Sequence, residues 1–512
     1  MIILCSAIII SLSNSNIINI ALNSTNKYKL TQFQTDLEIK LASLYMNNEP
    51  LINGTHNITD LSINFGDYTP ISGWINIINK QITDYTLYFK DFYVLRSNNS
   101  FNVYKNPNIE STDVIDISSF GAKGDGKTDD TLAIRKAVDY LNINGGTLYF
   151  PTGQYIVSVS SDKESIINIE SDKPIVIDFG SSTVSLKGNS YPYYNIMNIN
   201  KSDNVVIQNG FLMGDRLNHN YNPGNTSHCW GYGIKICNTL KCDIINMNIS
   251  QLTGDGIVNS ISERGGITTI NNCNIHHCRR IGIQVADADV INISNSNIHY
   301  IGDYDNIAGV NPKSGIDLEP VFGTKKINDL SLDNTNISST TLYGIVKGDN
   351  HIVNKFTITN CNIENLSSNS ANIYNSTLTF KNRNGNITGS KLYNCYINLT
   401  KMNGLALGIW EGTTISDSII EGIDTSKSTS KGCKLVYKTN DCTVQNTKFL
   451  NILGINKNHT SSIEDYGIVM NSSSSLNNWQ NNTYTNCSFG LAIPLMNDTN
   501  STKRFIYYDC HR

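Results

Sequence analysis

The chain has 512 residues, with 39 Lys and Arg against 43 Asp and Glu, a net charge of −4 and only 16% charged residues. No polybasic surface is left for nucleic acid, and the length exceeds one globular core while suiting a stack that grows unit by unit. Asn, Ser, Ile and Tyr abound and Pro is scarce, at 10; regular Ile and Val punctuation of that polar background argues against disorder.

Residues 1–10 are an apolar run too short to span a bilayer. Residues 1–13 have the length and polar flank of a signal peptide but lack a basic n-region, so export stays open. Residues 1–112 lack any repeat and read as a separate head for attachment or oligomerisation. Within it, residues 31–45 predict a helix, with Leu37, Leu41 and Leu44 at i, i+4 and i+7, and residues 71–94 predict strands.

A boundary follows at 113. The loop from Asp116 to Asp130 leads into a helix expected to start at Thr128, with acids at the positive end of the dipole. Its apolar face is Ala133, Ile134, Ala137, Val138 and Leu141, and Asn144-Gly145-Gly146 ends it. Strands at 147–150 and 154–158 flank a Pro151-Thr152-Gly153 turn. Such a helix covers the open end of a solenoid. The glycines lack the strand-loop-Lys-Ser/Thr order of a phosphate loop.

From there a repeat takes over. Gly-Ile steps recur at Gly233, Gly256, Gly282, Gly315, Gly344 and Gly467. Asn-x-Asn-Ile elements precede most of them, at Asn272, Asn295, Asn334 and Asn360, with weaker copies at Asn394, Asn446 and Asn486. The elements are 23 residues apart from Asn272 to Asn295 and 26 from Asn334 to Asn360, while the 39 between Asn295 and Asn334 marks an inserted loop. Short strands, Asn/Gly turns and a unit of this length predict a parallel β-helix, with Asn stacked at left-handed corners. Cys273, Cys361, Cys395 and Cys487 fill the slot held elsewhere by Ser296 and Thr335, so they read as small buried ladder residues. No CxxC pair occurs, and the spacing around Cys273, His276, His277 and Cys278 is not repeated as a zinc half-site.

Three rungs carry the candidate chemistry: Thr253–Ile257, Arg279–Val285 and Ser314–Pro320. With Ile316 and Leu318 inward, Asp317 and Glu319 leave together on the outer face. Aligning the Gly-Ile steps sets Gln284 and Val258 beside Asp317 and Arg280 between Gly254 and Lys313. Asp255 joins this wall if a glycine bend resets the alternation; otherwise it turns inward. Asp317, Glu319 and Asp255 are the catalytic candidates, because a pair of carboxyls on one face can serve as acid and as base or nucleophile. Arg279, Arg280, Lys313 and Gln284 are candidates for binding an anionic or polar substrate, and Trp230 and Tyr232 for stacking on its rings. Arg280 also serves to hold a neighbouring acid ionised. Against this stands the plainer reading of charges on a solenoid wall as solvated surface. Asp125, Asp129 and Asp130 read as turn and cap residues, and His276, His277, Asp303, Asp305 and Asp349 as loop and turn residues.

The stretches FGAKGDGKTDDTLAIRKAV (120–138) and NGGTLYFPTGQYIVS (144–158) resemble the opening segment of the pectate-lyase-like superfamily, which includes pectin-degrading enzymes and phage tailspikes or neck appendages. TGDGI and SGIDLEP are similar to acidic rungs of its phage-type members, whereas the paired-Asp, Gly-His-Gly and Arg-Ile-Lys motifs of polygalacturonases are missing. The resemblance implies a right-handed single-stranded parallel β-helix over residues 113–490 with a tail at 491–512. It implies degradation of a host-surface or extracellular polysaccharide by a virion appendage acting outside the cell. The head would dock on virion tail or neck proteins, the protein would be a homotrimer, and no cofactor would be required. The alternatives are a secreted polysaccharide lyase, for which Ca2+ is expected, and a non-catalytic receptor-binding fibre.

Overall fold

The computed structural model describes residues 35, 39, 54–57, 72–78, 81–88, 92–97 and 100–105, and residues 114–490 apart from 222–227, 261–265, 321–325, 349–350, 369, 382–384, 403–404, 410–411, 424–432, 438–441, 454–466, 471–477 and 488. Two compact units divide the chain, Met1–Thr112 and Asp113–Arg512. The first contains an antiparallel sheet of Gly54–Asn57, Ser72–Ile78, Gln81–Tyr88, Phe92–Ser97 and Ser100–Lys105, paired in sequence order. The described residues of the 71–94 region are therefore strands, as expected. The expected helix at 31–45 falls outside the described residues except for Thr35 and Ile39, and residues 1–13 and 491–512 fall outside entirely.

The second unit opens with a cap. Helix α1 (Thr131–Asn144) buries Thr131, Ile134, Ala137, Val138 and Leu141 and packs on the strand Glu164–Ile169. Its start is three residues later than Thr128, because Asp125–Asp129 forms a strand instead. The aspartates explain why. Asp130 accepts from the backbone N–H groups of Lys123 at 2.7 Å and Gly124 at 3.0 Å, and Asp125 Oδ1 accepts from those of Lys127 and Thr128. Their carboxylates bind the loop rather than act as a side-chain N-cap, and Gly145 closes the helix through Leu141 O.

Beyond the cap the chain winds as a right-handed parallel β-helix. One face is a 13-stranded parallel sheet among the described residues, and the other strands of the coil form two further faces. Six consecutive strands of the 13-stranded face frame the site: β1 (Tyr193–Asn200), β2 (Trp230–Cys237), β3 (Ile257–Asn259), β4 (Ile281–Val285), β5 (Ser314–Leu318) and β6 (Tyr343–Lys347). In register, Met197, Ile234, Ile257, Ile283, Ile316 and Ile345 form one inward column, all buried. Burial contributes roughly 2 kcal/mol for each such side chain before entropy is counted.

Corners are held by asparagine. Asn246, Asn272, Asn295, Asn334 and Asn360 have φ between 45° and 55°, a left-handed geometry that Asn tolerates. Neighbouring coils are tied through these side chains: Asn272 Nδ2 donates to Asn246 Oδ1 at 3.0 Å and Asn334 Nδ2 to Asn295 Oδ1 at 2.9 Å. Cys273, Cys361, Cys395 and Cys487 are buried free thiols beside this ladder, and the backbone N–H of Cys273 donates to Ser296 Oγ. No helix among the described residues is long and apolar enough to cross a membrane.

Candidate functional site

The Gly-Ile steps stack as expected, and the glycines decide which way their neighbours face. A Cβ on Gly256 would meet Ile275 Cγ2 at 2.6 Å, and one on Gly282 would meet Ile298 Cγ2 at the same distance. Both are inward atoms of the next face, so the glycine direction already points into the core, and so does the following Ile. Two successive inward positions reset the alternation. Asp255 therefore leaves on the outer side, in the column that holds Tyr232 one coil earlier.

Outside that bend the wall reads Lys235, Val258, Gln284, Asp317 and Val346 in register across β2 to β6. Gln284 is thus beside Asp317, and its Nε2 donates to Glu319 Oε2 at 3.1 Å. Tyr193, Trp230 and Tyr232 form an aromatic group at the β1–β2 end, with Tyr193 and Trp230 stacked at 6.4 Å between ring centroids. Arg280 bridges the two ends. Its guanidinium carbon is 4.7 Å from the Trp230 ring centroid, and its Nε is 3.5 Å from Asp255 Oδ1.

The wall is less solvated than the alternation suggested. Glu319 is exposed and Trp230 is 39% exposed, but Asp317 retains only 7% of its surface and Asp255 none. Burial, reinforced by Glu319, pushes Asp317 up to about 7 despite Arg280. Burial pushes Asp255 up to about 7 as well, outweighing the neighbouring Arg280, which was expected to keep an acid ionised. The cost of removing a carboxylate from water exceeds what one guanidinium at 3.5 Å returns.

Arg279 and Lys313 take other partners. Arg279 donates through Nε to Ala308 O at 2.7 Å and through Nη1 to His228 O, and stacks over Tyr221 at 4.6 Å. Lys313 Nζ donates to both oxygens of Asp303 at 2.9 and 2.7 Å. Arg279 thus ties the inserted loop to the neighbouring coil, and Lys313 joins the two ends of that loop. Asp305 pairs with the buried Arg216 at 2.9 Å. His276 and His299 stack on a different face, where burial and His277 hold His276 down to about 4.

One constellation went unnoticed in the sequence. Asp215 Oδ2 is 2.8 Å from His219 Nδ1, and His219 Nε2 is 2.9 Å from His228 Nδ1. Tyr194 donates its hydroxyl to Asp215 Oδ1, and the backbone and side-chain amides of Asn189 donate to Oδ2. All of Asp215, His219, His228 and Tyr194 are buried. The only available signal was the irregular stretch after Gly214, where the repeat lengthens between β1 and β2.

Coil, cap and wall together make a right-handed parallel β-helix that resembles the pectate-lyase-like proteins. Residues 114–319 match the family model described as "Rhamnogalacturonase A/epimerase, pectate lyase-like". Among curated proteins, uncharacterized protein YclG of Bacillus subtilis (strain 168) is 27% identical over 226 residues, 40% of this chain and 38% of that one. The SPbeta prophage-derived uncharacterized protein YorA of the same organism is 26% identical over 166 residues, 30% of this chain and 28% of its own. The chain thus spans well under half the length of either. Among solved structures, the Azotobacter vinelandii mannuronan C-5 epimerase AlgE4 A-module is 16% identical, covers 77% of this chain and 100% of its own, and has a TM-score of 0.42. Pre-mature bacteriophage phi29 gene product 12 is 15% identical, with 73% and 52% coverage and a TM-score of 0.41.

Proposed function

We propose that the chain cleaves glycosidic bonds in an extracellular or cell-surface polysaccharide laid along the β2–β5 wall. The observation that carries this reading is Asp317: a carboxyl lifted to about 7 by burial and by Glu319, two residues from that exposed carboxyl on the same wall. Asp317 keeps its proton for the leaving oxygen, and Glu319, oriented by Gln284, acts as base or nucleophile. Two residues along a strand are about 7 Å, within the range of the two-carboxyl mechanisms. Trp230 and the half-buried Tyr193 supply the aromatic surface on which sugar rings stack, and Tyr232, expected to join them, is buried against their edges. Written with carboxyl groups alone, the reaction calls for no cofactor.

We further place the protein on a phage tailspike or appendage, as a homotrimer whose head, residues 1–112, docks on the particle. The phage setting is supported by the prophage-derived relative, and the polysaccharide by the family description over residues 114–319. The test is a reducing-end assay across host surface polymers, with absorbance read for unsaturated sugars. Asp317→Asn and Glu319→Gln should each lower turnover by about 10²-fold or more while binding persists. Full activity in both variants, or a wild type that binds glycans without shortening them, would remove the catalytic reading.

A further inference from the structure

Asp255 takes no direct part in the chemistry, because its side chain is completely closed to solvent and an acid, base or nucleophile has to touch the substrate. Its influence passes through what it touches. The backbone N–H of Ile281 and the guanidinium of Arg280 face its carboxyl, with Arg280 Nε 3.5 Å from Oδ1. A buried ion pair contributes little to stability, since desolvation offsets the Coulombic gain, but it fixes the direction of a long side chain.

Arg280 is a side chain whose direction needs fixing. It leaves the backbone two coils beyond Trp230: its N–H donates to Gly254 O at 3.1 Å, and Gly254 N–H donates to Gly231 O at 3.0 Å. Two coils are about 10 Å. The guanidinium therefore reaches the Trp230 ring, 4.7 Å from its centroid, by lying back across the coil that holds Asp255. An arginine without a partner on this wall would carry its charge out into water; Arg280 is 5% exposed. At the far end of its path it also donates to the hydroxyl of Tyr232, which packs edge-on against Trp230. Trp230 rests on the guanidinium and keeps 39% of its own surface open.

We infer that Asp255 is a positioning residue: it holds Arg280 back beneath Trp230, and Arg280 in turn seats that ring as a ready-made surface for one sugar of the substrate. This rests on the reading that the wall holds a polysaccharide, and it separates two roles along it. Asp255 and Arg280 act on binding at the β2 end, through a ring fixed before the sugar arrives. The bond is broken at the β5 end, by Asp317 and Glu319.

Acrylamide quenching of fluorescence, taken as the difference between each protein and its Trp230→Phe counterpart, isolates this ring among the four tryptophans of the chain. It is measured at pH 8, above the value of about 7 to which burial pushes Asp255. Asp255→Asn should raise the quenching of Trp230 roughly twofold. If that variant fails to fold, Arg280→Lys should do the same, because it keeps a charge beside Asp255 but loses the flat stack. With a polymer that the wild type shortens, Asp255→Asn should raise KM about tenfold and change kcat by less than about threefold, the pattern of lost binding. Added to Trp230→Ala it should raise KM no further, because the ring through which it acts is gone. Unchanged quenching, a fall in kcat at constant KM, or a further rise in KM in the Trp230→Ala background overturns the inference. A lower melting temperature with quenching and KM as in wild type does so too, since Asp255 is then purely structural. If the wild type shortens no polymer, the catalytic reading falls, and quenching alone decides whether Asp255 seats Trp230.

Discussion

His219 Nδ1 lies 2.8 Å from Asp215 Oδ2, and both side chains are completely buried. Asp215 accepts from four donors in all: His219, the hydroxyl of Tyr194, and two N–H groups of Asn189. The neutral tautomer that donates Nδ1–H to the carboxylate leaves His219 Nε2 to accept from His228 Nδ1–H at 2.9 Å. One carboxylate thus ties Tyr194, Asn189 and a pair of histidines into a single hydrogen-bond network.

Asp215→Asn should therefore be severe despite its identical shape. An amide can turn its NH2 toward Tyr194 only if that hydroxyl swings its proton to Thr253 Oγ1, 3.1 Å away, and the buried charge to which His219 and Asn189 donate is lost either way, so the expected loss is about 1–3 kcal/mol. Thermal melts of the purified variant measure it; a melting temperature unchanged from wild type would show that the network is not a structural hub.

The glycine column has a comparable role in backbone packing. A Cβ on Gly282 would stand 2.5 Å from Gly315 O and 2.6 Å from Ile298 Cγ2, and neither atom has room to retreat. Gly282→Ala should cost about 1–3 kcal/mol as an overpacked position, read as a shift of the urea midpoint. A charge at the adjacent inward position, Ile283→Asp, should cost several kcal/mol more, because the column is dry. If Gly282→Ala is neutral, the coils are looser than this stacking implies.

Asp317 and His276 couple stability to pH in opposite directions. The folded pKa of Asp317, about 7, lies above its ordinary value of 3.8, so between these values the unfolded chain has already lost a proton that the folded chain keeps. Its contribution to stability consequently falls as pH rises from about 4 to about 7. For His276, held down to about 4 from 6.5, the unfolded chain binds the extra proton, and stability falls as pH drops through that window. Asp317→Asn removes the first effect alone. Its melting temperature relative to wild type should be more favourable at pH 8 than at pH 4, and an equal difference at both would argue that Asp317 titrates normally.

Assembly is tested most simply. Light scattering at micromolar concentration should give three chains per particle, and a stable monomer would end the tailspike-like arrangement proposed for the head.

Much of this was legible in the residues. The Asn and Gly-Ile periods, the cap helix and the Cys slots follow from local rules: a left-handed corner needs Asn, an inward face needs Ile, and a solenoid repeats both at every coil. Even the register of Gln284 against Asp317 follows, because parallel stacking aligns like with like. What only the tertiary structure decided is solvent and partnership. Alternation along β5 places Asp317 outward, yet the fold leaves it only 7% exposed, and burial rather than direction sets its proton affinity. Likewise Arg279 and Lys313 are cations of the acidic rungs in sequence but loop fasteners in space. Asp215, His219 and His228 belong to no period at all, and their chain of hydrogen bonds exists only because an irregular segment folds back over Tyr194. Periodicity determines where the backbone goes; the long side chains that leave it are placed by whatever the next coils bring against them.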